Sequence, residues 1–326
     1  MAVGAGVIDA YAGWISTVGA SVPDLPSSST GDDLSQASTR LAAVAGTSTC
    51  HLVLSPTPVF VPGVWGPYRD VTIPTLWMAE GGQSATGELL RHVVETHPAY
   101  LTGAAKPPAG TSPYDFLNAH LEAMRRGRSA PSIGYLARHT FFYGDLWGNR
   151  SPVADPDMTG SLVGITPDTS VDGLAVAYYA AMEFIALQTR HIVESMNRAG
   201  HGIRSIFMSG SQCKNPLLMR LISTACGMPV VLPEYASAAV VHGAAMLGAR
   251  AAGGSCREAR GRLEDLWSIM RRMGRAKEVV WPDEDKFEKQ LLEAKYKVFL
   301  DMCKGQREYR KQVDEAIAGW DGGKKD

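Results

Sequence analysis

The chain has 326 residues, 45% of them hydrophobic and 20% charged, and its formal net charge is −1. This balance is typical of a globular protein of about two domains and excludes a disordered chain. The near-zero net charge gives no reason to expect nucleic acid or a charged membrane surface as a partner. We also predict no membrane span and no secretory leader, because residues 1–20 lack a basic start and the apolar runs are short.

The five cysteines predict neither a disulfide framework nor a zinc site. Their number is odd, and no two of them are spaced as CxxC. This usage fits a reducing compartment, so we predict a cytoplasmic protein.

Hydrophobic spacing and turn residues predict the elements of the first half of the chain. Residues 23–40 are polar and rich in Ser and Pro, which predicts a loop or linker. The elements that follow are a hairpin over 41–54, a strand over 71–78, helices over 84–96 and 112–126, and a strand over 140–145.

The second half continues this alternation of strands and helices. Asn215 and Pro216 mark the start of a helix, and Gly227 marks its end. The other predicted elements are a long helix over 172–197, strands over 205–208 and 229–232, helices over 236–252 and 255–273, and an amphipathic helix over 283–318. The alternation indicates α/β architecture.

Two small-residue turns are candidate phosphate or nucleotide sites. Gly46, Thr47 and Ser48 lie in the predicted hairpin and offer backbone N–H groups and hydroxyls, although an ordinary hairpin turn has the same composition. Gly210 and Ser211 follow a predicted strand and precede a helix. Ligands of α/β sheets bind preferentially at such strand-to-helix turns. A simple helix cap would explain the second turn equally well.

Four polar residues are candidates for the chemistry of the site. Asp9 follows apolar residues between glycines, so it could accept a hydroxyl proton, or it could be a simple turn or cap residue. Glu80 and Gln83 could point into a cleft and contact a substrate, or belong to a strand-to-helix turn. Arg150 could orient an anion or fix its own loop.

Taken in order, six segments resemble the FGGY carbohydrate kinases, in particular their D-ribulokinase branch. The segments are VGAGVIDAYAGW (3–14), AGTSTCHLVLS (45–55), WMAEGGQSATG (77–87), GDLWGNRSPVADPDMTGSLVGIT (144–166), IALQTRHIVESMNRAGH (185–201) and FMSGSQCKNPLLMRLISTACGMPVVLPE (207–234).

The resemblance implies a ribonuclease H-like fold, as in actin and hexokinase, and phosphorylation of a sugar by ATP with Mg²⁺. Asp9 matches the catalytic aspartate of the family, and Arg150 lies in a loop shared by ribulokinase-like members. The residues that the resemblance assigns to the nucleotide are Gly46, Thr47 and Ser48 of the phosphate loop, Gly160, and Gly210, Ser211 and Asn215 of the adenosine motif.

The sequence departs from the family in two ways. The second glycine of the adenosine motif is Ser211, which could crowd the adenine or donate a hydrogen bond to it. The first domain of the family, which is the expected packing partner and brings the magnesium aspartate and most sugar contacts, is expected to precede Val3 and is not matched. We therefore expect the end of that domain and a linker over 1–40, the nucleotide-binding domain over 41–280, and a helix and tail over 281–326.

Three functions remain open at this stage. The first is phosphorylation of D-ribulose to D-ribulose 5-phosphate, with L-ribulose, xylulose and ribitol as competing substrates. The second is a nucleotide-binding module without chemistry, or one half of a split kinase. The third is a structural actin-like domain, which Asp9 and the intact turn at Gly46 disfavour.

Overall fold

The computed structural model describes residues 3–22, 34–255 and 264–318. Within these ranges the strands are β1 (Arg40–Ala45), β2 (Thr49–Ser55), β3 (Trp65–Arg69), β4 (Trp77–Gln83), β5 (Phe141–Tyr143), β6 (Ser161–Val163), β7 (Ser205–Ser209), β8 (Val230–Pro233) and β9 (Ala276–Val280). The helices are α1 (Asp9–Val18), α2 (Gly87–Glu95), α3 (Pro98–Leu101), α4 (Pro113–Gly127), α5 (Ile133–Leu136), α6 (Val171–Ala199), α7 (Pro216–Cys226), α8 (Ala239–Ser255), α9 (Leu266–Met273) and α10 (Lys286–Ile317).

Seven strands form one mixed sheet in the order β3-β4-β2-β1-β7-β8-β9. Strand β1 lies at its centre, antiparallel to β2 with Ala42 opposite Leu52, and parallel to β7 with Ala42 opposite Phe207. Strands β5 and β6 form a separate antiparallel pair. Because β1 and β7 run parallel, their carboxyl ends and the turns that follow them meet at one edge of the sheet.

The alternation of side chains along β1 divides the core into two layers. Leu41, Ala43 and Ala45 belong to the layer with α2, α4, α6, α7 and α10, whereas Ala42 belongs to the layer with α1, α8 and α9. Helices therefore cover both faces of the sheet, as the predicted α/β architecture requires.

Helix α1 is packed tightly into this second layer. Trp14, Ile15 and Val18 are buried, and α1 crosses α8 so closely that a Cβ on Gly243 would lie 1.9 Å from the carbonyl oxygen of Ala12. The sequence predicts the end of a preceding domain and a linker over 1–40, and within that range the structure packs α1 against this core. Part of the predicted linker is also ordered here, since 34–39 form a 3₁₀ helix, while 23–33 lie outside the described residues.

Most predicted elements are found in the structure, and two predictions need correction. The strand expected over 71–78 is wrong, because 70–76 form turns and the strand begins at Trp77. The helix expected over 255–273 is described only from Leu266, with residues 256–263 outside the described part of the chain. Edge strand β9 was not predicted.

The long helix α10 is anchored by a buried ion pair rather than lying loosely outside. Lys295 is 3% exposed, and its Nζ donates to Glu183 Oε2 at 2.9 Å, to the Ala137 carbonyl at 2.8 Å and to the Thr140 carbonyl at 2.6 Å. Burial raises the pKa of Glu183 to about 7, and Lys295 opposes that rise. The pair therefore fixes α10 to α6 and to the loop before β5.

Candidate active site

The turn between β1 and β2 is held open toward solvent by backbone hydrogen bonds. Gly46 N–H donates to the Ser48 carbonyl at 2.9 Å, and the Thr47 carbonyl accepts from Thr86 N–H at 2.9 Å and from Glu88 N–H at 3.2 Å. A Cβ on Gly46 would meet no atom within 4 Å, so this glycine faces empty space. The turn thus offers a backbone surface that a ligand can approach closely.

The turn after β7 is pressed against the end of β1. Gly210 has a φ of 98°, and a Cβ there would lie 1.9 Å from the carbonyl oxygen of Ala45. Only glycine fits this backbone and this contact. The residue before Gly46 therefore touches Gly210 directly, and the two predicted turns lie side by side.

Gln212 joins the two turns chemically, and sequence reasoning missed it. Its Nε2 donates to the Gly46 carbonyl at 2.8 Å and to Thr86 Oγ1 at 2.6 Å. Thr86 Oγ1 lies 2.8 Å from Thr49 Oγ1 in turn. No motif marks this role, because one glutamine in a 3₁₀ turn has no diagnostic spacing.

Both turns open onto one cavity of about 460 Å³, which we call the nucleotide cavity. It is lined by Gly46 and Thr47 from the first turn, and by Ser211 and Asn215 from the second. Tyr114 adds an aromatic wall. The volume lies in the range of pockets for small molecules and cofactors, and backbone groups, hydroxyls and an aromatic ring suit a nucleotide.

The side chain of Asn215 builds the wall of this cavity. It caps α7 by accepting from Leu218 N–H at 3.2 Å, and its Nδ2 donates to Tyr178 Oη at 2.7 Å. It also accepts from Asn118 Nδ2 at 3.0 Å. Ser211, by contrast, is exposed at the cavity, so its hydroxyl is available to a ligand.

A second cavity of about 670 Å³, the cleft cavity, begins on the other side of Thr47. Thr47 and Glu88 line both cavities, while Arg150, Trp65 and Trp147 line this one alone. The Arg150 guanidinium lies 5.6 Å from the centre of the Trp65 ring, a cation–π contact. Because Thr47 belongs to both spaces, a phosphate group on this turn would face the cleft cavity.

Strand β4 allows the Arg150 side chain to lie flat on the sheet. A Cβ on Gly82 would lie 2.5 Å from Arg150 Cδ, so the glycine makes room for the arginine. The loop that carries Arg150 is fixed by Asn149, whose Nδ2 donates to Asp145 Oδ2 at 2.6 Å and whose Oδ1 accepts from Val153 N–H at 3.0 Å.

Two carboxylates come together beside this arginine. Asp9 is the first residue of α1 and is exposed, with Oδ1 accepting from Ala10 N–H at 2.8 Å. Glu80 is half-buried and hydrogen-bonded to Tyr11 and Cys50. Burial raises the pKa of Glu80 against the opposing effect of those bonds and of Arg150, and the Asp9 charge adds to the rise.

The same cluster alters the pKa values of its two other members. Burial and the Glu80 charge raise the pKa of Tyr11 to about 12 and that of Cys50 to about 11. Both side chains therefore stay protonated at neutral pH and act as hydrogen-bond donors to Glu80. Both groups thus fix the orientation of the Glu80 carboxylate.

Two predicted site residues lie elsewhere. Gln83 is fully buried, and its Nε2 donates to the Ile185 carbonyl at 2.9 Å, so it ties β4 to α6. Gly160 lines neither of the two cavities described above; a Cβ there would lie 2.3 Å from Leu146 Cδ2. Its role is the close packing of β6 beside the Arg150 loop.

Two small-residue turns thus share one cavity, and Thr47 connects it to the cleft cavity that Arg150 lines. The profile of the FGGY family of carbohydrate kinases, C-terminal domain, matches residues 41–252. The chain therefore belongs to the FGGY family of carbohydrate kinases, which confirms the resemblance seen in its motifs.

Curated relatives agree with this assignment. A D-ribulokinase of Saccharomyces cerevisiae is 52% identical over 256 residues, covering 76% of this chain and 36% of that protein. An FGGY carbohydrate kinase domain-containing protein of Xenopus laevis is 40% identical over 309 residues, covering 94% of this chain and 53% of that protein. The chain thus spans about half the length, or less, of these relatives.

Solved structures confirm the expected fold class. A xylulose kinase from Rhodospirillum rubrum gives a TM-score of 0.63 at 20% identity, covering 92% of this chain and 50% of that one. A gluconate kinase from Lactobacillus acidophilus gives a TM-score of 0.61 at 19% identity, covering 95% of this chain and 51% of that one. These sugar kinases share the actin and hexokinase type of ATPase fold, so the ribonuclease H-like prediction is correct.

Proposed function

We propose that this chain supplies the nucleotide-binding part of a kinase that transfers a phosphoryl group from ATP to a pentulose, with D-ribulose as the substrate. One observation carries the proposal: Gly210 packs on the Ala45 carbonyl, so the turns after β1 and β7 lie side by side and line a single cavity. ATP would supply the phosphoryl group, and the residues of this chain would position it.

The nucleotide cavity fits the adenosine and the phosphates of ATP in one orientation. Tyr114 and Ser211 flank the space for the base and ribose, and Thr47 lies at the border with the cleft cavity. Backbone N–H groups of a small-residue turn bind phosphate oxygens well. The outer phosphates on Thr47 and Ser48 would then face the cleft cavity, which Arg150 lines.

Asp9 is the residue we assign as general base. Phosphoryl transfer depends mainly on positioning and charge neutralisation, with a carboxylate accepting the proton of the attacking hydroxyl. Asp9 is exposed, and Glu80 interacts electrostatically with both Asp9 and Arg150. Glu80 would accept a hydrogen bond from a sugar hydroxyl, and Arg150 would offset the charge of the phosphates.

Mg²⁺ is proposed as the partner of ATP rather than as a resident metal. The described residues contain no group of three or more His, Cys, Asp or Glu side chains suited to a metal. Mg²⁺ in kinases is commonly held by substrate phosphates, water and one or two carboxylates, which this site can accommodate. No helix of the described chain is long and apolar enough to cross a membrane, and the cytoplasmic location stays a prediction.

D-Ribulose is favoured by the relatives, and the site itself favours no single pentose. The yeast relative at 52% identity is a D-ribulokinase, and a relative from Anoxybacillus flavithermus at 31% identity is a ribulokinase. L-Ribulose, xylulose and ribitol are therefore the comparison substrates. The xylulose kinases among the solved structures support only the fold.

A second candidate function is nucleotide binding without turnover. The exposure of Asp9 favours it, because efficient transfer requires a site that excludes water, and this chain leaves its base open. A further protein surface covering Asp9 would complete the site, as the greater length of the relatives suggests. We therefore expect little kinase activity from this chain alone.

One experiment separates these readings. The chain is titrated with ATP and Mg²⁺ by calorimetry, then assayed for ADP release with D-ribulose, L-ribulose, xylulose and ribitol. Binding with slow release that is fastest with D-ribulose supports the kinase, and binding with no release above that of the Asp9→Asn variant supports the nucleotide-binding module. If ATP does not bind, both are refuted.

Asp9→Asn is the matched variant for this experiment. It should leave ATP affinity unchanged and lower any turnover about 10²–10⁴-fold, the usual contribution of a general base. Unchanged turnover in this variant would remove Asp9 from the mechanism.

A further inference from the structure

A third cavity of about 600 Å³ lies away from the carboxylates, between α6, α10 and two loops. Its apolar floor includes the buried Val61 and the half-buried Val153 and Leu300. Its rim carries Arg198 from α6, and Lys304 and Arg307 from α10. We call this space the basic cavity.

The charge of the basic cavity is of one sign. Among the described residues that line it, none is acidic, and three are permanent cations. Neither Arg198 nor Lys304 has a salt-bridge partner within the described ranges, whereas Arg307 pairs with Asp155 at 3.7 Å, a carboxylate that Arg310 also contacts. His191 adds no charge, because burial lowers its pKa to about 4. Like charges gathered around one concave space favour an anionic occupant.

The basic cavity is separate from the proposed catalytic site. Arg150 and Ala154 line the cleft cavity, whereas Pro152 and Val153 between them line the basic cavity. The loop is fixed between the two spaces, with Ser151 Oγ donating to the Gly63 carbonyl at 2.8 Å. A ligand in the basic cavity would thus touch the back of the loop that presents Arg150.

We propose that the basic cavity binds an organic phosphomonoester. Arg and Lys side chains form short charge-assisted hydrogen bonds with phosphate oxygens, and Arg198 and Lys304 together match the charge of a phosphate dianion. The apolar floor provides a surface for the organic part of the ligand, and the volume suits a small metabolite. This site does not depend on the proposed kinase activity.

Calorimetric titration of the full chain with phenyl phosphate and with inorganic phosphate tests the proposal. Phenyl phosphate should bind more tightly than inorganic phosphate, since its ring can contact the apolar floor. The double variant Arg198→Gln/Lys304→Gln should bind phenyl phosphate at least about tenfold more weakly, as expected for the loss of charge-assisted bonds.

Lys297→Gln is the matched control, because it removes one positive charge from an exposed position of α10 that does not line the cavity. This variant should keep the wild-type affinity within about twofold, since isolated exposed charges are well screened. The proposal is overturned if phenyl phosphate does not bind the wild type, if it binds no better than inorganic phosphate, or if the double variant and the control bind it equally.

Discussion

Replacement of Gly210 by alanine tests the junction between the two turns. At a φ of 98° and a ψ of −177° the backbone lies in a region open essentially to glycine, and the new Cβ would lie 1.9 Å from the Ala45 carbonyl oxygen. The backbone strain costs about 1–3 kcal/mol. The clash adds about 1–3 kcal/mol, because one chain must move away from the other. We expect a loss of about 2–6 kcal/mol in the free energy of unfolding, the sum of these two terms.

Gly227→Ala is the matched control for this experiment. Gly227 also has a positive φ, of 63°, but a Cβ there would meet no atom within 4 Å. Gly227→Ala should therefore lower the free energy of unfolding only by the backbone strain, about 1–2 kcal/mol. Urea unfolding measures both losses, and calorimetry measures ATP affinity, which should fall in Gly210→Ala and stay unchanged in Gly227→Ala. Equal losses of stability together with unchanged ATP binding would refute the close junction.

The remaining predictions concern a hydrogen bond, an ion pair and a titration. Gln212→Ala should weaken ATP binding about tenfold in calorimetry, because the Gly46 carbonyl and the Thr86 hydroxyl lose a donor worth about 1–3 kcal/mol. Lys295→Met should lower the free energy of unfolding in urea by about 3–5 kcal/mol by leaving Glu183 buried and unpaired; a loss below about 1 kcal/mol would contradict a buried pair. Burial lowers the pKa of His51 from 6.5 to about 4. Because the unfolded chain takes up this proton at a higher pH than the folded chain does, the free energy of unfolding falls as the pH drops from about 6.5 to about 4. In urea unfolding at several pH values, His51→Gln should show a shallower fall than the wild type, and an equal slope would contradict this.

The parts of the fold that followed from the sequence are those with a clear period or a clear cap. The hairpin of β1 and β2 was predicted from two apolar runs around Gly46, and α7 from Asn215 and Gly227. Helix α6 followed from its apolar spacing. In each case local preference and tertiary packing favour the same structure.

Strand β4 and strand β9 were not predictable in this way. Strand β4 contains Gly81 and Gly82, which indicate a turn in a sequence, but here they make room for α6 side chains and for Arg150. The apolar run before it contains Pro74 and forms turns. Strand β9 is a short edge strand with Lys277 and Glu278, so it lacks a hydrophobic pattern.

The candidate site was only partly visible in the sequence. The turns at Gly46 and Gly210, with Asp9 and Glu80, were candidates from the sequence; the structure brings the two turns together, and it couples Glu80 electrostatically to Asp9. Gln212 was missed because its role depends on contacts across the sheet edge. Gln83 belongs to a conspicuous motif, yet its side chain points into the core, since side-chain direction follows from strand pairing and not from composition.

The most direct test of the account is a titration of ¹⁵N-labelled chain with a non-hydrolysable ATP analogue and Mg²⁺, followed by amide chemical shifts. The amides of Gly46, Thr47, Gly210 and Ser211 should shift along one saturation curve, with the same apparent affinity, and Asp9 should respond as a neighbour. Shifts at only one of the two turns, or at neither, would contradict a single nucleotide bound between them.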